Sequence, residues 1–373
     1  MLSAGEASGD LHGAALCRAL SELAPGLRLF GMGGPRMAAA GMELLADVTG
    51  VATIGTNEVI GRLPRIIRAY RKLAAAVRDR RPRVLVLVDF PEFNLRLAAT
   101  ARRAGVSVVY FIPPQIWAWR AGRVRIIRER VSLVLSIFPF ETAIYRTAGV
   151  PVEFVGHPVL DALGGAPPRE AARRELGVGE ERVLVGLLPG SRQHEVEQMT
   201  PLLRRAAALL ARSRPDLIFA VGLAPAVDRG SVRRLLDEDP PVTVMSDRTY
   251  ALMRAADLLL VTSGTATLEA ALLGTPMVVC YRASPLTVLT GRLLSRVPWI
   301  SLVNLVLGRT VVPELWRTVT PTAVAREALR MLDTPGALAA QREAFAELAG
   351  QLGAPGVARR AARLILSTAE RSA

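Results

Sequence analysis

Four clusters of residues in this 373-residue chain have the types and spacing to do chemistry. Asp89 follows the apolar run Arg83 to Val88 and precedes Phe90-Pro91-Glu92-Phe93-Asn94. A carboxylate at the carboxyl end of a buried strand stands where ligands gather in open α/β sheets, and rigid backbone fits it to act as a general base. Its plainer role is to cap the following helix. Gly190-Ser191-Arg192 opens a second helix, offering backbone N–H groups to an anion and a guanidinium that can pair with phosphate oxygens in bidentate fashion. Ser263-Gly264-Thr265 repeats that arrangement, and Glu269, one turn further on, can accept two hydrogen bonds from vicinal hydroxyls; the alternative is a capped helix with a solvated glutamate. Two N–H cradles beside a diol acceptor suit a nucleoside diphosphate. Near the N-terminus Glu6, Ser8, Asp10 and His12 crowd a glycine-rich turn, where two carboxylates exceed what capping one helix needs.

The elements that must position these residues are legible as alternating strands and helices. Short apolar runs, among them Val183 to Leu188, Leu258 to Val261 and Met277 to Cys280, read as strands buried on both faces of parallel sheets. Helices are expected over Leu11 to Leu23, from about Glu195, and over Ala266 to Leu273, the last closed by Gly274 with Pro276 beyond. The opening MLSAGEASGD leaves about three residues for a first strand, fewer than the usual 5 or 6, so that strand is expected to be clipped. Asp161 to Pro168 alone has linker-like glycine and proline density. It divides the chain into a domain over 1–160, a linker over 161–168, a second domain over 169–352, and a final helix over 353–373 that returns to the first domain or meets a partner.

Composition narrows the function classes. No run reaches the roughly 18 apolar residues of a membrane span, and no basic-then-apolar signal pattern opens the chain, so a cytosolic protein is expected. Cys17 and Cys280, far apart in apolar stretches, read as buried free thiols, and His12, His157 and His194 lack metal-ligand spacing. The glycines of GMGGPRM lack the full dinucleotide pattern, so neither a metal nor NAD is expected. Net charge is +14, and Lys72 is the only lysine among 47 basic residues. Residues 1–160 carry 21 basic and 12 acidic side chains, net +9, against 26 and 21, net +5, over 161–373. The more basic half suits a membrane surface, a phosphorylated substrate or nucleic acid. Within it, Val59 to Val77 is two-faced: Leu63, Ile66, Ile67, Tyr70, Leu73, Ala74 and Val77 lie on one side and Arg62, Arg65, Arg68, Arg71 and Lys72 on the other. That pattern serves a membrane interface or a core-packing helix with a solvated face. Trp117 and Trp119, on a proline-stiffened loop beside Arg120, could stack on a sugar or anchor a lipid interface.

Two consecutive βα halves make the double-Rossmann GT-B plan, with two domains facing a central cleft. Eight motifs then choose among its chemistries: SAGEASGDLHGA (Ser3 to Ala14), GMGGPRM (Gly31 to Met37), VDFPEFN (Val88 to Asn94), WAWR (Trp117 to Arg120), FPFE (Phe138 to Glu141), VGHP (Val155 to Pro158), LLPGSR (Leu187 to Arg192) and SGTATLEA (Ser263 to Ala270). In this order they closely resemble the lipid-A-disaccharide synthase family, over nearly the whole chain. The short N-terminus is the main departure. The resemblance implies an inverting, metal-independent, cofactor-free transferase that joins UDP-2,3-diacylglucosamine to 2,3-diacylglucosamine 1-phosphate through a β-1,6 bond. By motif, Asp89 would deprotonate the acceptor 6-hydroxyl and Arg192 would stabilise the departing diphosphate. Gly190, Ser191, Ser263, Gly264 and Thr265 would hold phosphates, Glu269 the ribose, and Asn304 the nucleotide. Glu6, Ser8, Asp10, Asn94 and Trp117 fall on the acceptor side. The implied setting is peripheral, on the anionic cytoplasmic face of the inner membrane, with no role for nucleic acid; oligomeric state stays open, a homodimer included. A UDP-N-acetylglucosamine 2-epimerase-like isomerase on the same fold is the alternative, and a non-catalytic sugar-nucleotide sensor is a third reading.

Overall fold

The computed structural model describes residues 1–47, 59–114, 122–224, 227–236, 240–282, 298–317 and 319–371. Trp117 and Trp119 lie outside them. The chain divides into two compact units, Met1–Asp161 with Leu352–Ala373, and Ala162–Gln351.

In the first unit seven parallel strands, β1 (Leu2–Ala4), β2 (Phe30–Gly33), β3 (Glu43–Asp47), β4 (Val84–Val88), β5 (Ser107–Phe111), β6 (Leu133–Ser136) and β7 (Val152–Phe154), lie in the order β3-β2-β1-β4-β5-β6-β7. The order reverses between β1 and β4, where Ala4 is in register with Val88. Loops leaving the carboxyl ends of two such strands diverge to opposite faces and leave a crevice. Glu6 and Asp89 both follow strands at this switch point. The three-residue β1 is short as expected, yet it is central and wholly buried.

The second unit repeats the plan with β8 (Val183–Leu188), β9 (Leu217–Leu223), β10 (Val242–Ser246), β11 (Leu258–Thr262), β12 (Met277–Cys280) and β13 (Glu314–Leu315), in the order β10-β9-β8-β11-β12-β13. Its switch point lies between β8 and β11, with Leu188 in register with Val261. Both N–H cradles therefore leave neighbouring strand ends. The sheets are doubly wound α/β layers whose central strands bury unbroken apolar runs. Leu85, Leu87, Val108 and Tyr110 pack on Leu73, Val77, Leu97 and Ala98 in the first unit, and Val185, Leu187, Leu258 and Leu260 on Val196 and Leu203 in the second. Cys17 and Cys280 are free and buried, and burial pushes both thiols up to about 12.

The helix Val357–Glu370 packs along the helix Ala7–Leu23. Asp161, placed by composition at the start of a linker, caps that last helix: its carboxylate accepts from the Gly356 and Ala358 amides at 2.5 and 3.2 Å. Residues 159–165 form a helical turn, Val159–Ala162, and a 3₁₀ turn, Leu163–Gly165. Two helix starts also move. The first helix begins at Ala7 rather than Leu11, and that after β8 at Gln193 rather than Glu195.

Candidate functional site

Asp89 and Phe90 both adopt left-handed backbone, with φ of +51° and +48°. A non-glycine residue there costs on the order of 1–3 kcal/mol and persists only where its surroundings enforce it. Here they do. The Asp89 carbonyl accepts from the Asn94 side-chain amide at 2.7 Å and from the Tyr110 hydroxyl at 2.8 Å. The Phe90 ring stacks on Phe93 at 5.5 Å between centroids and lies over Gly5, where a Cβ would come within 2.1 Å of it. Pro91 begins the next helix, Pro91–Arg103, whose N-cap is Phe90 with no side-chain capping bond. Phe90, not Asp89, thus occupies the N-cap position of that helix. The Asp89 backbone is held at the strand end and the residue is half-buried.

Asn94, assigned by motif to the acceptor, is fully buried and joins the two switch-point strands instead. Its amide nitrogen also reaches the carbonyls of Ser3 and Val88 at 3.2 and 3.3 Å, and its Oδ1 accepts from the Ser3 hydroxyl at 2.7 Å. Asp10 is likewise turned inward. Its carboxylate accepts from the Gly34, Arg36 and Met37 amides at 2.8, 3.1 and 3.0 Å and so caps the neighbouring helix Pro35–Ala39. Gly34 is required there, because a Cβ would lie 2.7 Å from that carboxylate. Glu6 is half-buried at the N-cap of the first helix and Ser8 is exposed in its first turn. His12 and His157 are held neutral, lowered to about 4 and about 3, mainly by burial.

In the second unit Gly190 has φ +130°, and the Ser191 and Arg192 amides point at one carboxylate oxygen of Glu195, 3.2 and 3.3 Å away. The other oxygen of Glu195 accepts from the Arg192 guanidinium at 3.0 Å. An internal carboxylate thus takes both amides of this turn. A Cβ at Gly190 would come 2.8 Å from the Glu195 side chain. Arg192 remains 63% exposed in this pair. Glu195 was not among the expected site residues; its spacing, three residues after Arg192 at a helix start, is the capping-box signal that could have found it.

At the neighbouring strand end Gly264 and Thr265 are exposed ahead of the helix Ala266–Leu272. Ser263 donates its hydroxyl to the Ile300 carbonyl at 2.6 Å, tying this turn to residues 300–304. Glu269 accepts from the Tyr250 hydroxyl at 3.1 Å, and burial raises its carboxyl. Asn304, expected at the nucleotide, is fully buried in the helix Leu302–Leu307. Its Oδ1 accepts from the Val311 and Val312 amides, and its amide donates to Val312 and Glu314. Glu314 also takes the Ile300 and Ser301 amides, each at 2.9 Å. Asn304 therefore shapes the loop from inside rather than presenting its amide. Among the described residues no group of three or more His, Cys, Asp or Glu side chains is placed to hold a metal.

The first unit thus carries a carboxylate residue on left-handed backbone at a strand end, and the second carries two turns at neighbouring strand ends, one with Arg192 and Glu195 and the other followed by Glu269. A family model described as lipid-A-disaccharide synthetase matches residues 1–348. The lipid-A-disaccharide synthase of Syntrophus aciditrophicus is 41% identical over 375 residues, covering 100% of this chain and 98% of the relative. That of Geobacter sulfurreducens is 42% identical over 368 residues, covering 98% and 96%. Among solved structures, UDP-GlcNAc 2-epimerase from Neisseria meningitidis bound to UDP-GlcNAc aligns with a TM-score of 0.63 at 13% identity, covering 99% of both chains. MurG of Acinetobacter baumannii aligns at 0.60 and 13%, covering 98% and 99%. At such identity these two likenesses show the fold alone.

Proposed function

This chain belongs to the lipid-A-disaccharide synthase family, and from that premise we propose how its residues divide the work of glycosyl transfer. It is a UDP-sugar-dependent hexosyltransferase of lipid A biosynthesis. In our reading the donor is UDP-2,3-diacylglucosamine and the acceptor 2,3-diacylglucosamine 1-phosphate. The one observation that carries this assignment is the family match over residues 1–348, with relatives above 40% identity along the full chain.

Asp89 takes the proton of the acceptor 6-hydroxyl. The freed oxygen attacks the anomeric carbon from the face opposite the diphosphate, and the anomeric C–O bond breaks with its electron pair leaving on UDP. One bond forms as one breaks on opposite faces, so the anomeric configuration inverts to β. The charge that builds on the diphosphate falls to the Ser191 and Arg192 amides, the Arg192 guanidinium and the Gly264–Thr265 turn. Donors fixed before the reaction are often the largest catalytic contribution, since they do not reorganise as charge develops. Glu195 yields the cradle to the diphosphate when UDP-sugar enters. Glu269 accepts the ribose hydroxyls. On the acceptor side Glu6 and Ser8 flank the chemistry, while Asp10 and Asn94 act on it through the backbone that they fix.

The membrane-facing part of the proposal rests on the helix Val59–Arg80. Leu73 and Val77 are buried, whereas Leu63 and Ile67, on the same apolar stripe, are 51% and 41% exposed. Beside them Arg65, Arg68 and Lys72 line a cavity of about 300 Å³ together with Leu45, Ala46, Asp47 and Ala69. Apolar residues flanked by cations suit an anionic lipid surface. No helix among the described residues is long and apolar enough to cross a membrane. Incubating the protein with UDP-diacylglucosamine and the acylated monosaccharide 1-phosphate should give disaccharide 1-phosphate and UDP by mass spectrometry. Folded protein that yields only epimerised UDP-sugar would overturn the assignment.

A further inference from the structure

We propose that Tyr250 is a positioning residue that makes this site select ribonucleotides over 2′-deoxyribonucleotides, by fixing the carboxylate of Glu269 for the ribose diol. The inference rests on the reading of Glu269 as the ribose acceptor. Tyr250 is the second residue of the helix Thr249–Ala255, and its hydroxyl donates to Oε1 of Glu269 at 3.1 Å. The tyrosine is anchored from below: Thr249 donates its hydroxyl to the Leu223 carbonyl, and Ala251, Leu252 and Met253 are buried against the sheet. The ring thus reaches Glu269 from a rigid element.

A glutamate carboxyl turns freely about its last bond, because that torsion is broad and nearly two-fold. One donor fixed on Oε1 sets the carboxylate plane and leaves Oε2 to accept from a ligand. The same bond also favours the charged form. Burial raises the Glu269 carboxyl, and the Tyr250 hydroxyl acts in the opposite sense. Only the ionised form accepts at both oxygens; a protonated carboxyl would present a donor to the diol in place of an acceptor. The elements packed on the Glu269 helix bring few other ionisable groups. Arg254, on the Tyr250 helix, donates to the Leu273 carbonyl at 2.9 Å, and Cys280 is a buried thiol on β12. The helix Leu302–Leu307 and β11 carry none. Tyr250 is therefore the side chain that aims Glu269 and partly offsets the effect of burial on its ionisation.

A purely structural tie between the two helices would contribute to stability and be indifferent to the ligand's 2′-hydroxyl. Calorimetric titration of UDP and 2′-deoxy-UDP into wild type, Tyr250→Phe and Glu269→Gln separates the two. Wild type should bind UDP about tenfold more tightly than 2′-deoxy-UDP, the scale of one hydrogen bond to a charged group. In Tyr250→Phe that ratio should fall to about twofold or less, with 2′-deoxy-UDP affinity unchanged and the unfolding temperature checked in parallel. Acidifying the medium should erode the UDP preference of wild type in the same direction, because burial raises the Glu269 carboxyl, a readout that needs no variant to fold. A Tyr250→Phe protein that keeps the wild-type ratio, or weakens both ligands equally, overturns the inference, as does a preference unmoved by pH. If Glu269→Gln also keeps the full ratio, the ribose reading of Glu269 has failed. If Glu269→Gln loses it and Tyr250→Phe does not, only the role of Tyr250 has failed.

Discussion

Replacing Tyr110 by phenylalanine removes one hydroxyl from beneath the proposed base and leaves a fully buried ring in place. That hydroxyl donates to the Asp89 carbonyl at 2.8 Å, and Asn94 still reaches the same carbonyl at 2.7 Å. The acceptor is not orphaned, so the cost is that of one net hydrogen bond, about 0.5–1.5 kcal/mol, rather than the larger penalty of a buried unsatisfied group. For a unit of this size that lowers the unfolding temperature by about 2–4 °C per kcal/mol. The catalytic effect follows from strain. Asp89 and Phe90 sit at φ +51° and +48° because two donors and the Phe90 packing hold them there. With one donor gone the backbone relaxes and the carboxylate loses its aim. If about 1 kcal/mol of positioning is lost from the transition state, kcat falls about fivefold with KM unchanged. Steady-state rates of disaccharide formation, measured well below the unfolding temperature, read this directly. A Tyr110→Phe enzyme with wild-type kcat and a lowered unfolding temperature would refute the positioning role and leave Tyr110 as ordinary core.

The Glu195 carboxylate competes with a diphosphate for the Ser191 and Arg192 amides. Glu195→Gln should therefore tighten UDP binding about two- to fivefold by calorimetry, a modest gain because the Arg192 partner is largely exposed and screened; weaker binding would mean that Glu195 supports Arg192 instead. His12 and His157 are held neutral, with folded values of about 4 and about 3 against about 6.5 when unfolded. Because the unfolded chain binds their protons first, stability should be full above pH 6.5 and fall as pH drops toward 4, by up to about 1.4 kcal/mol per pH unit for each histidine. Urea unfolding across that window should show the slope, and His157→Gln should reduce it; an unchanged slope would contradict the assignment. Reversing Arg65 and Arg68 to glutamate should weaken sedimentation with anionic phospholipid vesicles severalfold, while unaltered binding would return that helix face to plain solvation.

Strands were the most legible part of this chain. Val183–Leu188 and Met277–Cys280 fall where their apolar runs put them, because a strand buried on both faces leaves an unbroken signature. The side-chain destinations were not legible. Asn94 looked like a ligand-binding amide beside Asp89, but its partner Ser3 is 91 residues away in sequence. Asp10 looked like part of a ligand turn, and its three partners lie 24 to 27 residues on. Asn304 was expected at the nucleotide, but it lies in the helix Leu302–Leu307 and its side chain closes back on residues 311–314. Each is a short polar side chain in the first turn of a helix, a pattern that serves a ligand or the fold equally well until the chain's return is known. Glu195 left a local trace in its spacing. Tyr250 and Tyr110 left none, because a tyrosine's hydroxyl partner is set by packing between elements and by no sequence period.

Asp89 carries the central claim, and Asp89→Asn tests it most directly, since the amide keeps the shape but cannot take a proton. Its single-turnover rate of disaccharide formation, measured with UDP affinity in parallel, should fall by about a thousandfold or more, in the range of lost general-base catalysis, while UDP binds as in wild type. Retention of more than a tenth of the wild-type rate would contradict Asp89 as the base, and loss of folding with UDP binding would make it a structural residue of the β4 end.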